Sequence, residues 1–155
     1  MLNGLDLFSG YAGISRSVAP WVRTVAYCEN DEYRQLALLC EMQRNRIDRA
    51  PIWNDVSTLH KRNVGMCIDI ILGGWPCTGH SVAGSRTGLD HIESALAKEL
   101  IRLVREFRPR FGFFENVPGV LGTGMDSVIA ALAADGYVGR YGSLSCPDVG
   151  PAWHE

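Results

Sequence analysis

No apolar run in this sequence approaches the ~18 residues that a membrane-spanning helix needs. No signal-peptide pattern opens it. The five cysteines (Cys28, Cys40, Cys67, Cys77 and Cys146) contain no CxxC pair and no closely spaced Cys/His cluster. An odd number without such spacing argues against a disulfide framework and a zinc site, and describes a reduced, cytoplasmic protein. Positive charge is also scarce: 15 Lys and Arg against 17 Asp and Glu give a net charge of −2 and a pI near 6.1. A domain that held nucleic acid alone would show a basic face or a pI above ~9. Either nucleic acid is not the partner, or another part or chain carries most of that binding. The absence of GxxxxGK[ST] argues against a kinase or ATPase. There is no repeat, no low-complexity segment and no linker.

What is present is globular: 46% hydrophobic and 21% charged residues in 155, read as one domain, 1–155, able to bury roughly 70% of its unfolded surface. Short apolar runs alternate with helical patterns. "LNGLDLF" predicts a strand, "SGYAG" a turn, and a short helix follows to about Val18. "VRTVAYC" is a second strand, and "DEYRQLALLCEMQRN" a helix with Asp31 as its cap. "CIDIIL" reads as a strand buried on both faces. "SALAKELIRLVREF" is a helix stopped by Pro109, "RFGFFENV" a strand, "MDSVIAALAAD" a helix ending at Gly136, and "YVGRYGSLSC" closes the series. This alternation predicts an α/β fold: a doubly wound, mostly parallel sheet with helices on both faces.

Ligands of such sheets sit outside the carboxyl ends of the strands. There "DLFSGYAG" supplies Gly10 and Gly13 for a tight turn and close approach to backbone. "YCEND" supplies Glu29, about 20 residues on, where an acid can hold a ribose hydroxyl pair. "WNDVS" supplies Asp55. Singly, the glycine pair is better read as a plain turn and Glu29 as a solvated helix-start acid. Three at successive strand ends point to a nucleoside-containing cofactor. The fourth strand breaks into "GGWPCTGHS", where Gly73 and Gly74 end the strand and Pro76 fixes the approach to Cys77. A core cysteine needs no such loop, and the other four read as small buried hydrophobes. The fifth strand end brings Glu115 and Asn116, and an acid closing an apolar strand is costly to desolvate unless used. His80 and Ser81 suggest a Cys–His dyad, but three residues along a loop align a base poorly.

These motifs resemble the DNA (cytosine-5) methyltransferases. "DLFSGYAG" is similar to the family's first motif and "GGWPCTGHSVAGSRTGLD" to its catalytic loop. "LAKELIRLVREFRPR" resembles the helix that follows, and "ENVPGVL" the glutamate motif. The resemblance implies an S-adenosylmethionine-dependent, Rossmann-like enzyme, soluble and of prokaryotic or phage type, acting on double-stranded DNA through a flipped cytosine, without metal. It makes Cys77 the nucleophile at carbon 6 of cytosine, with Glu115 at N3 and the exocyclic amine and Asn116 beside it. It assigns Phe8 to the adenine, Glu29 to the ribose and Asp55 to the adenine amine. Gly10, Gly13, Asn30, Val56, Gly74, Pro76 and Leu96 complete the cofactor-binding set. Carbon 5 is a poor nucleophile until a thiolate adds to carbon 6, and the family takes its base out of the stack.

Departures accompany the match. Ala12 stands where the family has glycine, Trp75 and Thr78 depart from PPCQ, and Glu93 falls where an arginine is usual. "SCPDVGPAWHE" resembles the lead-in to a motif whose two arginines grip the cytosine, and the sequence stops before them. The chain is therefore expected to be the front half of an enzyme, with recognition carried by a missing C-terminal half or a second subunit. A non-catalytic partner-binding remnant, an RNA cytosine methyltransferase and an ordinary NAD-binding protein are the competing readings.

Overall fold

The computed structural model describes residues 1–75, 92–117 and 125–144, with the side chains of 92–94 outside the description. Residues 1–117 and 118–155 form two units. The first holds a five-stranded sheet built from β1 (Leu2–Leu7), β2 (Val22–Cys28), β3 (Ile52–Trp53), β4 (Ile70–Gly73) and β5 (Phe111–Phe114). It also holds helices α1 (Gly13–Val18), α2 (Glu32–Gln43) and α3 (Ile92–Phe107). Every strand pair is parallel, in the order β3-β2-β1-β4-β5.

That order reverses between β1 and β4. With right-handed crossovers, helices that step toward β3 lie on one face and the helix that steps toward β5 lies on the other. The packing agrees. Asp6 pairs with Tyr27 on one side and Leu72 on the other, so these three share a face. On that face Ile14 and Val18 of α1 pack against Val22, Ile70 and Leu72, while Leu38 and Met42 of α2 pack against Tyr27. Leu5, Leu7 and Ile71 point the other way and are fully buried, as are Leu100 and Leu103 of α3. The reversal point is where a doubly wound sheet opens a crevice at its carboxyl edge.

The element boundaries follow local chemistry. Asp31 caps α2 as its sequence predicts, its carboxylate accepting the Arg34 N–H at 2.9 Å. α3 ends at Phe107, Arg108 turns left-handed (φ 53°), and Pro109 prevents continuation. β4 is buried at every position. The Cys67 end of "CIDIIL" precedes it and is exposed.

In the second unit α4 (Met125–Ala134) ends as expected, with Gly136 at φ 87°. The expected closing strand is not there: residues 137–144 form no strand. Val138, Tyr141 and Leu144 are exposed, and they recur every three residues instead of every two, so they offer no single face to a sheet. Cys146 lies outside the described residues.

Two further expectations need correction. Cys40 and Cys67 are exposed, not buried. Cys40 lies off the α2 face that buries Leu38 and Met42, and Cys67 lies before β4 starts. Cys28 is buried as expected, and desolvation, with the charges of Glu29, Asp55 and Asp6 behind it, pushes its thiol up to about 12.

Candidate functional site

The loop after β1 is wound by left-handed residues: Phe8 at φ 55°, Gly10 at 54° and Ala12 at 60°. Only glycine adopts that region freely. A bulky residue there, such as Phe8, is a marked exception and one often found where a ligand binds. Ala12, where the resemblance leads one to expect glycine, adopts that same conformation. Its methyl is fully buried with Tyr27, Leu38 and Met42, and this packing offsets part of the backbone cost. Gly13 opens α1, and a Cβ there would meet no atom within 4 Å, which leaves room for a ligand to approach.

Glu29, at the end of β2, is only 3% exposed. Its Oε2 accepts the Gly10 N–H at 2.7 Å and its Oε1 accepts the Asp31 N–H at 3.0 Å. Arg34 lies 3.9 Å from Oε1. Asn30, between them, is exposed. Beyond β3, the Asp55 carboxylate is exposed and accepts the Ser57 N–H at 2.9 Å and its hydroxyl at 2.7 Å. The Ser57 hydroxyl and then its N–H hold the Asp55 carboxyl below the usual carboxylate range. Val56 is buried directly after it.

The ends of β4 and β5 meet over Gly74. A Cβ on Gly74 would lie 2.9 Å from Glu115 Oε2 and 3.0 Å from the Glu115 carbonyl oxygen. A side chain there would displace the Glu115 carboxylate and crowd its carbonyl. The Glu115 N–H donates to the Gly73 carbonyl at 3.1 Å, and the Asn116 amide donates to the Trp75 carbonyl at 2.9 Å. Trp75 is itself buried, so the chain is fixed on the residue before Pro76. Glu115 is exposed. The expectation that its carboxylate is costly to desolvate therefore does not hold here, because solvent reaches it at the sheet's rim. Asn116 is placed to position backbone.

Pro76, Cys77, His80 and Ser81 lie outside the described residues. Leu96, on α3, is half-buried. The structure thus gathers Phe8, Gly10, Gly13, Glu29, Asn30, Asp55, Val56, Gly74, Glu115 and Asn116 at the carboxyl edge of one sheet. The hollow lined by Leu39, Met42, Gln43, Arg49, Ala50 and Pro51 contains none of them. Among the described residues, no three His, Cys, Asp or Glu side chains form a metal-ligand group, and no helix is long and apolar enough to cross a membrane.

One buried group escaped the sequence reading. Asp6 is 1% exposed, and its Oδ2 has no hydrogen-bond partner among the described residues. Burial pushes its carboxyl up to about 7, with the Ser15 hydroxyl opposing and Glu29 adding to the rise. Its signal is an acid inside the β1 run "LNGLDLF", a pattern that by itself predicts only a strand.

The chemistry of this edge discriminates between cofactors. A dinucleotide loop turns its glycine N–H groups toward a pyrophosphate. Here the Gly10 N–H is taken by a carboxylate, whose charge would repel phosphate. Two carboxylates, a strained aromatic and an open glycine fit a phosphate-free nucleoside carrying positive charge, as S-adenosylmethionine does.

Comparison with known proteins agrees. The sequence model of the C-5 cytosine-specific DNA methylase family matches residues 2–152. The chain is 37% identical over 134 residues to the type II methyltransferase M.CviJI of Paramecium bursaria Chlorella virus IL3A, covering 86% of this chain and 35% of that protein. It is 28% identical over 135 residues to the orphan methyltransferase M.SPRI of Bacillus phage SPR, covering 85% and 30%. Among solved structures, a protein described as a DNA modification methyltransferase encoded within an E. coli prophage superposes with TM-score 0.67 at 29% identity, covering 86% and 37%. DNMT2 of Spodoptera frugiperda (TM-score 0.63, 16% identity, covering 86% and 41%) shares the fold. The chain spans about a third of the length of the curated relatives it matches. It belongs to the C-5 cytosine-specific DNA methylase family, whose members are S-adenosylmethionine-dependent methyltransferases of Rossmann-like fold.

Proposed function

We propose that this chain is the cofactor-binding and nucleophile-bearing part of an enzyme that methylates carbon 5 of cytosine in double-stranded DNA, with target recognition carried by segments beyond it. The observation that carries this reading is the meeting of the β4 and β5 ends. Gly74 lets the Glu115 carboxylate lie against the backbone that leads to Cys77, and Asn116 holds that backbone at Trp75.

On this reading the Cys77 thiolate adds to carbon 6 of a flipped cytosine, and the electron pair of the 5,6 double bond moves toward carbon 5. Glu115 contacts N3 and the exocyclic amine and favours the protonation of the ring that assists that addition. S-adenosylmethionine supplies the methyl group that carbon 5 takes. Loss of the carbon 5 proton then expels the thiolate and restores the double bond. Phe8 packs on the adenine and Asp55 accepts from its amine, while Val56, Pro76 and Leu96 line the same end. Glu29 keeps lone pairs for the ribose hydroxyls beyond the two backbone N–H groups it accepts, and Asn30 borders them. The net charge of −2 fits a division of labour in which another segment neutralises DNA phosphates.

Calorimetry tests the cofactor half of this reading. S-adenosylhomocysteine should bind this chain with micromolar or weaker affinity, and NAD should not bind. NAD binding in preference to S-adenosylhomocysteine would overturn it.

A further inference from the structure

Two residues of α3 reach across to the segment that follows β3. Arg102 commits all three of its guanidinium nitrogens. Nη2 donates to the carbonyls of Val56 at 3.0 Å and Leu59 at 2.9 Å. Nε donates to Glu99 Oε2 at 2.7 Å, and Nη1 to Glu106 Oε2 at 3.0 Å. Glu106 extends the same grip. Its Oε1 accepts the Lys61 N–H at 2.8 Å, and its Oε2 lies 3.1 Å from His60 Nδ1. Desolvation raises the Glu106 carboxyl, but the Lys61 N–H, His60 and Arg102 outweigh it and leave it below its ordinary range. Backbone groups of residues 56, 59 and 61 are thereby tied to one face of α3.

A staple between a helix and a loop could serve stability alone. Its position suggests more. The segment it grips begins at Asp55 and Val56, and Asp55 sits within that segment's first turn, bound to Ser57. The helix it grips from carries Leu96, about 9 Å toward the N-terminus at 1.5 Å per residue. The two elements that line the adenine end of the site therefore meet through one guanidinium. A planar fork that donates to two carbonyls and two carboxylates fixes direction as well as distance, which an ammonium group does not.

We infer that Arg102 is a positioning residue of the cofactor pocket: by holding the Val56 and Leu59 carbonyls against α3, it sets where Asp55 and Val56 stand relative to Leu96. The inference rests on the cofactor assignment above. Nothing in it requires Arg102 to touch the cofactor.

Three measurements on this chain test it: hydrogen exchange, thermal unfolding, and calorimetric binding of S-adenosylhomocysteine well below the unfolding temperature. Arg102→Met and Arg102→Lys should both speed amide exchange at Ser57, Thr58 and Lys61, leaving Asp31 unchanged. Both should weaken binding about tenfold, since small misplacements of a binding group are costly. Asp55→Ala combined with Arg102→Met should weaken binding little more than the worse single change, because the two act through one contact. Arg102→Lys, the milder change, keeps the test available if Arg102→Met does not fold. Unchanged affinity in a folded Arg102 variant, or losses that multiply fully with Asp55→Ala, would reduce Arg102 to a structural staple and overturn the inference. A wild-type chain that binds no S-adenosylhomocysteine would instead remove the cofactor reading itself.

Discussion

The Gly10 N–H donates to Glu29 Oε2 at 2.7 Å, binding the loop after β1 to the end of β2. The acid proposed to hold the ribose is thus also a clamp on the loop after β1. Glu29 and Asp55 should therefore fail differently. Glu29→Ala leaves the Gly10 and Asp31 N–H groups without their acceptor, and should cost about 1–3 kcal/mol of stability together with cofactor binding. Asp55→Ala should cost binding with at most about 1 kcal/mol of stability, since only an exposed cap is lost. Urea unfolding beside calorimetry separates the two. Equal stability losses would mean that Glu29 is not a clamp.

A side chain at Gly74 should be costly. Gly74→Ala places a methyl 2.9 Å from Glu115 Oε2 and 3.0 Å from its carbonyl oxygen, so the carboxylate must swing aside and the end of β5 give by a few tenths of an ångström. We expect about 1–3 kcal/mol of destabilisation. An alanine variant as stable as the parent, with unchanged chemical shifts at Glu115, would show that the two strand ends are not in contact.

Asp6 gives the fold a pH dependence opposite to the usual carboxylate. Its carboxyl titrates near 7 in the folded chain, against 3.8 for a free aspartate. Between these values the folded state holds a proton that the unfolded state has lost. Stability therefore falls as pH rises from about 4 to 7, and the penalty is constant above that. Its upper bound is on the order of 4 kcal/mol. Asp6→Asn should remove this slope, so the gap between the two proteins should shift in the variant's favour by pH 8 relative to pH 4.5. Parallel pH–stability curves would contradict the buried charge.

Thiol labelling in the folded state should distinguish the described cysteines. Cys40 and Cys67 are exposed and should react first. Cys28 is buried with its pKa raised to about 12 and should react only on unfolding. Rapid labelling of Cys28 by mass spectrometry would contradict the packing of β2.

Much of this architecture is legible in sequence because local signals and burial agree. Asp31 announces α2, Pro109 ends the α3 run, and "VRTVAYC" coincides with β2. The failures share a cause. "YVGRYGSLSC" looks strand-like, but a strand exists only with a partner and a buried face, and neither can be read locally. Cys40 and Cys67 look apolar, yet orientation on a helix and the exact start of a strand decide their exposure. Glu115 was expected to be desolvated because its run is apolar, whereas β5 borders the described sheet and its phenylalanines at 111 and 113 are about half exposed. Nothing local to Arg102 distinguishes it from the other charges of the α3 run. Its carbonyl partners lie more than 40 residues away in sequence, beyond the reach of any local pattern.

The central claim is that Cys77 is the nucleophile of a cytosine methyltransferase. It is tested most directly by covalent trapping. This chain would be mixed with the portion of its Chlorella-virus relative that it does not match, S-adenosylmethionine, and a duplex containing 5-fluorocytosine. Fluorine at carbon 5 cannot leave as a proton does, so the adduct should persist and peptide mass spectrometry should locate it on Cys77. In a Cys40→Ser, Cys67→Ser background the adduct should remain, and Cys77→Ala should abolish it. An adduct on another cysteine, or one that survives Cys77→Ala, would contradict the account.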